Sequence, residues 1–310
     1  MSLDPVFEPI KLGAHTVPGL WRYMFPDDVM YFRVDPETKS SCFNCPQVKA
    51  AGFHPSVRCC TVIPRVPNFL LGMALFDSRT EPMITDYIAK GYVLPEGCNI
   101  SPSQLSASLS YIVKPDRDKP TVICPFLNRE SKACRLYSYR TTVCSTFFCH
   151  HDRGDEGRIF WEDLQDLGSQ IEAALGQWAL GEVGFDVASY FNRFNSLGLS
   201  LDSSNDPGSD AWSESSRKLL FGDWYGREGD LFKRCADVVI AHKDQLYAIA
   251  CRQNILQTAT YDEATRKELL KNFPAYLVSE ALPEGTPETI QSLWYSVQLS
   301  HRNLQLSRQS

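Results

Sequence analysis

The sequence predicts an α+β protein. A cysteine-rich metal-binding domain of short helices and strands is expected over residues 1–152, and a mainly helical domain over 153–310. Three observations predict it. Nine of the eleven cysteines lie from Cys42 to Cys149, and eight of them make up the candidate ligand set. Ten prolines, from Pro46 to Pro125, interrupt the same stretch and keep its helices short. After residue 150 the apolar residues fall into a 3.6-residue period.

Taken in order, Val29–Val34 reads as a short strand, and helices are expected at about 67–77, 82–90 and 102–112. Thr121–Ile123 reads as a short strand leading into Cys124. Phe160, Leu164, Leu167, Ile171, Leu175 and Trp178 mark one face of a long helix. Leu231, Cys235, Val238, His242, Leu246 and Ile249 mark a second. Thr260 and Glu263 form a capping box that opens a third near Tyr261–Asn272. Pro287 occupies the first turn of a fourth, with Ile290, Leu293, Val297 and Leu304 on one face. Eight serines and Asn205-Asp206-Pro207-Gly208 make 196–216 a loop. Gly222–Asp230 reads as a turn followed by a helix N-cap.

Composition narrows the function. Residues 1–150 carry a formal charge of +3 and residues 151–310 a formal −9, with no basic stripe, so nucleic-acid binding is not expected. The N-terminus has no basic flank or apolar run, and the longest apolar stretch, Phe69–Phe76, is too short for a membrane span. A cytoplasmic protein without membrane association is expected. There is no G-x-G-x-x-G, P-loop or G-x-S-x-G signature, so standard dinucleotide, nucleotide and serine-hydrolase chemistry is unsupported.

A reducing compartment keeps thiols free, so the cysteines read as metal ligands before they read as disulfides. Cys42-x2-Cys45 lets two thiolates of one turn reach the same metal. The adjacent Cys59 and Cys60 point to opposite sides of an extended chain, which suits two sites, or one site and a packed thiol. Cys124, Cys134, Cys144 and Cys149 complete a set of eight candidate ligands. Four thiolates close the shell of one zinc ion or one iron–sulfur cluster, so eight supply two such centres, or one with spare thiols. Proline after Cys45 and after Cys124, with Phe43, Phe126, Phe147 and Phe148 as a dry shell, tips the balance slightly toward iron. Arg58, Arg65, Arg129, Lys132, Arg135 and Arg140 would balance metal–thiolate charge.

The distal arm carries a resemblance. Cys124-Pro-Phe-Leu127, then Cys134-Arg-Leu-Tyr137-Ser-Tyr-Arg140-Thr-Thr-Val-Cys144-Ser-Thr-Phe147-Phe-Cys149, resembles the YkgJ-type, or CxxCxxCC, family of zinc- or iron-chelating domains. Leu136, Tyr137, Arg140 and Phe147 fall in register with that pattern, and the proximal Cys-x2-Cys and Cys-Cys elements are also present. The likeness covers about residues 40–150. Thr141 stands where the family has proline, Ser145 where it has arginine, and thirteen residues, not two, separate Cys45 from Cys59. The resemblance implies metal chelation and no assigned reaction. The flagellin lysine N-methylases share a similar cysteine set. Likeness to them would imply an iron–sulfur-dependent enzyme that modifies a protein substrate with S-adenosylmethionine. A redox or metal sensor acting through a protein partner is a third expectation.

The remaining candidates read more plainly. Cys235 and Cys251 sit in apolar helical positions and are expected in the core. His150 and His151 read first as a polar exit loop and second as an imidazole ligand or proton shuttle. His54 reads first as a surface residue and second as a ninth ligand. Cys98 stays open, a loop thiol near the cluster that exchanges ligands or reacts being one reading.

Overall fold

The computed structural model describes residues 4–40, 48, 55, 60, 64–98, 123–196, 211–253 and 288–306. The architecture is α+β: helices dominate, with three small antiparallel sheets. The chain divides into two compact units, each assembled from separate stretches. One comprises residues 1–39, 142–178 and 240–310, and the other residues 40–141 and 179–239.

In the first unit, β1 (Ile10–Leu12) and β2 (His15–Val17) form a hairpin, with Ile10 opposite Val17. Two single-turn helices follow, α1 (Trp21–Met24) and α2 (Asp27–Met30). The strand expected at Val29–Val34 is not formed. Pro26 starts a helix, Asp27 and Asp28 occupy its first turn, where acidic groups suit the helix dipole, and the chain beyond Tyr31 lies outside any sheet.

Further along come α5 (Thr142–Thr146) and α6 (Gly154–Glu182), whose residues to Trp178 belong to this unit. Phe160, Leu164, Leu167, Ile171 and Leu175 are all fully buried, as their period requires. Trp178 is half-buried and meets the His242 ring edge-on at 5.3 Å. A C-terminal helix, Glu288–Leu306, buries Ile290, Val297 and Leu304. Trp294 shares that face, and Leu293 is only partly covered. Phe32 stacks on His301 at 3.8 Å, and Gln305 donates to the Arg33 carbonyl at 2.7 Å.

The second unit is centred on a three-stranded sheet, ordered β3 (Val66–Pro67), β5 (Gly97–Cys98), β4 (Val93–Leu94). Gly97 has φ +117°, and a Cβ there would lie 2.0 Å from the Val66 carbonyl oxygen, so only glycine fits. Helix α3 (Asn68–Phe76) is buried from Asn68 to Leu75, in keeping with its nearly continuous apolar sequence. Helix α4 (Glu81–Ala89) buries Ile84 and Tyr87. The β6 (Leu127–Asn128) and β7 (Ala133–Cys134) hairpin follows. Helices α7 (Val187–Ser196), α8 (Glu214–Phe221) and α9 (Glu228–Ala241), the last as far as Val239, complete the unit.

The long helix expected over Leu231–Ile249 is interrupted. It stops at Ala241, a 3₁₀ turn spans Lys243–Gln245, and α10 (Leu246–Ala250) resumes. His242 leaves the helical region at φ −110°, ψ 20°. The expected loop at 196–216 is shorter at its far end, because Ser213 accepts from the Ser216 N–H at 3.1 Å and caps α8. The elements expected at 102–112 and 261–272, and most of Thr121–Ile123, lie outside the described residues. Among the described residues no helix is long and apolar enough to cross a membrane.

Candidate metal centre

Of the eight candidate ligands, Cys42, Cys45 and Cys59 lie outside the described residues. Cys60, Cys124 and Cys134 belong to the second unit, and Cys144 and Cys149 to the first. All five of these described thiol residues are partly exposed.

In the second unit, backbone geometry brings together Cys60 and Cys124, one cysteine from each arm of the framework. The Cys124 N–H donates to the Cys60 carbonyl at 2.9 Å, so these cysteines lie on neighbouring backbones. The Cys124 carbonyl in turn accepts from the Leu127 N–H at 3.1 Å, and Leu127 pairs with Cys134 across the hairpin. Asn128 shapes the turn, its Oδ1 accepting from the Glu130 and Ser131 N–H groups, both at 3.0 Å. Phe126 is 2% exposed and its ring lies 5.4 Å from that of Tyr87. The Arg135 guanidinium donates to the Pro125 carbonyl at 2.8 Å, which sets a positive charge beside the Cys124 turn.

Cys98 is not a loop thiol. It is buried in β5, between Val66 and Val93. Burial, and then the charge of nearby Cys124, push its thiol well above the ordinary cysteine range, so it stays protonated. The sequence carried a signal for this, since Pro95-Glu96 form a hairpin turn after an apolar Tyr92–Leu94 run and return Cys98 opposite Val93.

In the first unit, Cys144 sits on α5 and Cys149 just beyond it. Thr142 begins the helix. Its N–H and its hydroxyl both donate to Glu172 Oε1 on α6, at 2.7 and 2.8 Å. Glu172 is 4% exposed, and burial pushes its carboxyl up to about 8, against the lowering effect of the two Thr142 bonds. The contribution of Glu172 was not legible in the sequence, where it is one polar residue beside an apolar stripe.

Past Cys149, a second buried carboxylate organises the chain. Glu37 accepts from the Asp152 N–H at 2.6 Å and from the Trp161 indole N–H at 2.8 Å, and its Oε1 lies 3.7 Å from His151 Nδ1. Asp152 accepts from the Thr38 and Lys39 N–H groups at 3.1 and 2.9 Å. His151 therefore lies beside a carboxylate, with its side chain largely covered. Phe148 packs on Trp161 and His15, with ring centroids 4.7 and 4.9 Å away. Phe147 corrects the expectation of a dry shell: it is 55% exposed. Phe43 and His54 lie outside the described residues.

No protein-family model matches this chain, and neither a curated protein nor a solved structure does. Its chemistry rests on its own residues.

Among the described residues no three His, Cys, Asp or Glu side chains are gathered closely enough to hold a metal ion. The donor chemistry nevertheless suits one. Cys60 and Cys124 are soft, partly exposed and on neighbouring backbones, with Arg135 close to the Cys124 turn to offset thiolate charge. Cys235 and Cys251 are fully buried. The Cys235 thiol is pushed up to about 12 by burial and has no ligand chemistry as it stands.

An open cleft of about 610 Å³ lies in the second unit, lined by residues of Asp77–Asp86 and Arg135–Tyr139. Arg79 and then Tyr139, which donates to Asp77 Oδ2 at 3.0 Å, hold the Asp77 carboxyl down to about 2. Burial and Asp77 push the Tyr139 phenol up. These shifts favour an ionised Asp77 and a protonated Tyr139 near neutral pH.

Proposed function

We propose that this chain is a metal-binding protein of the YkgJ type. It chelates an iron–sulfur cluster or a zinc ion through thiols drawn from Cys42, Cys45, Cys59, Cys60, Cys124, Cys134, Cys144 and Cys149. The observation that carries the reading is the hydrogen bond from the Cys124 N–H to the Cys60 carbonyl. It joins cysteines 64 positions apart in sequence, one from each arm of the framework, and chance packing has no reason to pair them. When bound, the metal would supply a structural cross-link or, as a cluster, an electron-transfer site. The thiols would hold it, Arg135 would balance charge near Cys124, and Phe126 would keep water from that side of the hairpin. A cytoplasmic location belongs to the same proposal, because it keeps these thiols reduced.

The test is elemental analysis of anaerobically purified protein, read together with its visible absorption spectrum. Iron or zinc in near-stoichiometric amount is expected. Cys60→Ser and Cys124→Ser should lose it, while Cys235→Ser should keep it. Protein that holds neither metal sinks the reading.

A further inference from the structure

Cys144 sits in the third position of a five-residue helix. So short a helix has no stability of its own, and its orientation must come from outside. Three features of one face of α6 supply that orientation. Gln165, Gly168 and Glu172 are spaced three and four residues apart and so lie along one stripe. At the middle of the stripe, a Cβ on Gly168 would come within 2.3 Å of Thr142 Cγ2 and 2.5 Å of Thr142 Oγ1, so the first residue of α5 seats against bare backbone. At one end, Glu172 Oε1 accepts both the Thr142 N–H and its hydroxyl. At the other end, Thr146 Oγ1 approaches Gln165 Oε1 at 3.4 Å while also bonding the Thr142 carbonyl at 2.9 Å. Thr142 and Thr146 are both buried, and Cys144, between them, is partly exposed.

We propose that Glu172 is a positioning residue for Cys144: by anchoring Thr142 over Gly168 it fixes the rotation of α5 and the direction in which the thiol is presented. The proposal rests on the metal-binding reading for the purpose of that positioning, though not for its geometry. Both Thr142 donors converge on the same oxygen, Oε1, which leaves Oε2 able to carry a proton without breaking either bond. Burial favours that neutral form. Glutamine at 172 can therefore reproduce the anchor, and alanine cannot.

The test compares Glu172→Ala, Glu172→Gln and Thr142→Val in the full-length protein. The first readout is the rate of iodoacetamide alkylation at each cysteine, resolved by peptide mass spectrometry. Cys251, fully buried in the same unit, reports global unfolding. Alkylation of Cys144 should rise about tenfold relative to Cys251 in Glu172→Ala, the size of population change that losing a buried hydrogen-bond partner produces. Thr142→Val should show a smaller rise, and Glu172→Gln none. The second readout is metal retention against a chelator, which should weaken about tenfold in Glu172→Ala and recover in Glu172→Gln.

If Cys144 and Cys251 accelerate together in Glu172→Ala, the fold itself has opened and Thr142→Val decides. An unchanged Cys144 rate in Thr142→Val then overturns the proposal. Wild-type protein without metal, but with a Cys144 rate governed by residue 172, would overturn the metal-binding reading and leave the positioning role standing.

Discussion

The two groups of thiols are held by different forces. In the second unit, Cys98, Cys124 and Cys134 are fixed by main-chain bonds: a sheet ladder, a bond to the Cys60 carbonyl, and a hairpin register. In the first unit, the chain around Cys144 and Cys149 is fixed by two buried carboxylates, Glu172 before and Glu37 after. Backbone bonds do not depend on side-chain identity, whereas a carboxylate anchor depends wholly on it. The first kind of thiol should tolerate most side-chain changes and fail where backbone geometry is special. The second should fail on single polar substitutions.

The largest expected effect tests the backbone-held arm. Gly97→Ala forces a Cβ to within 2.0 Å of the Val66 carbonyl at a left-handed φ. A loss of about 3 kcal/mol or more is expected, measured by denaturant unfolding, with Cys98 becoming open to alkylation. Wild-type stability in that variant would break the contrast.

The next effect belongs to the carboxylate-held arm and is a pH dependence. The unfolded Glu172 carboxyl titrates at its ordinary value of 4.5, and the folded one at about 8. Unfolding therefore releases a proton between those values, and wild-type stability falls as pH rises through the window. Below pH 4.5 both states are protonated and nothing is lost. Glu172→Gln removes this contribution. The two proteins should match near pH 4.5 and diverge by about 2–4 kcal/mol in favour of glutamine at pH 8. Thermal melts of the pair across that range check it, and parallel curves would show that the carboxyl is not held neutral.

A smaller effect is expected at Tyr139→Phe, which removes one bond to the Asp77 carboxylate while Arg79 keeps its own. About 1 kcal/mol should be lost, seen as a modest fall in denaturation midpoint. Smallest is the exposed Lys90–Asp86 pair on α4, where Lys90→Ala should leave the melting temperature within error. A large change there would mean that surface side chains also hold this unit.

Periodicity made the long helices legible. α6 and the C-terminal helix follow their apolar stripes closely, and α3 and α4 begin within a residue of the expected starts. Short elements were less legible. Pro26-Asp27-Asp28 is a helix start, yet the apolar run behind it reads equally well as a strand. The helix around His242 breaks where its 3.6-residue period continues, so local pattern alone did not mark the break.

The sequence by itself determined the α+β class, the thiol inventory and the core positions of Cys235 and Cys251, because these follow from composition and local period. Only the tertiary structure decided the rest. Tyr190 donates to Glu96 across 94 positions, Trp161 to Glu37 across 124, and the 1–39, 142–178 and 240–310 stretches share one unit. Phe147 proved exposed and Glu172 an anchor for the same reason. Each depends on which distant groups exclude water or offer a donor, and no local spacing in the chain encodes that.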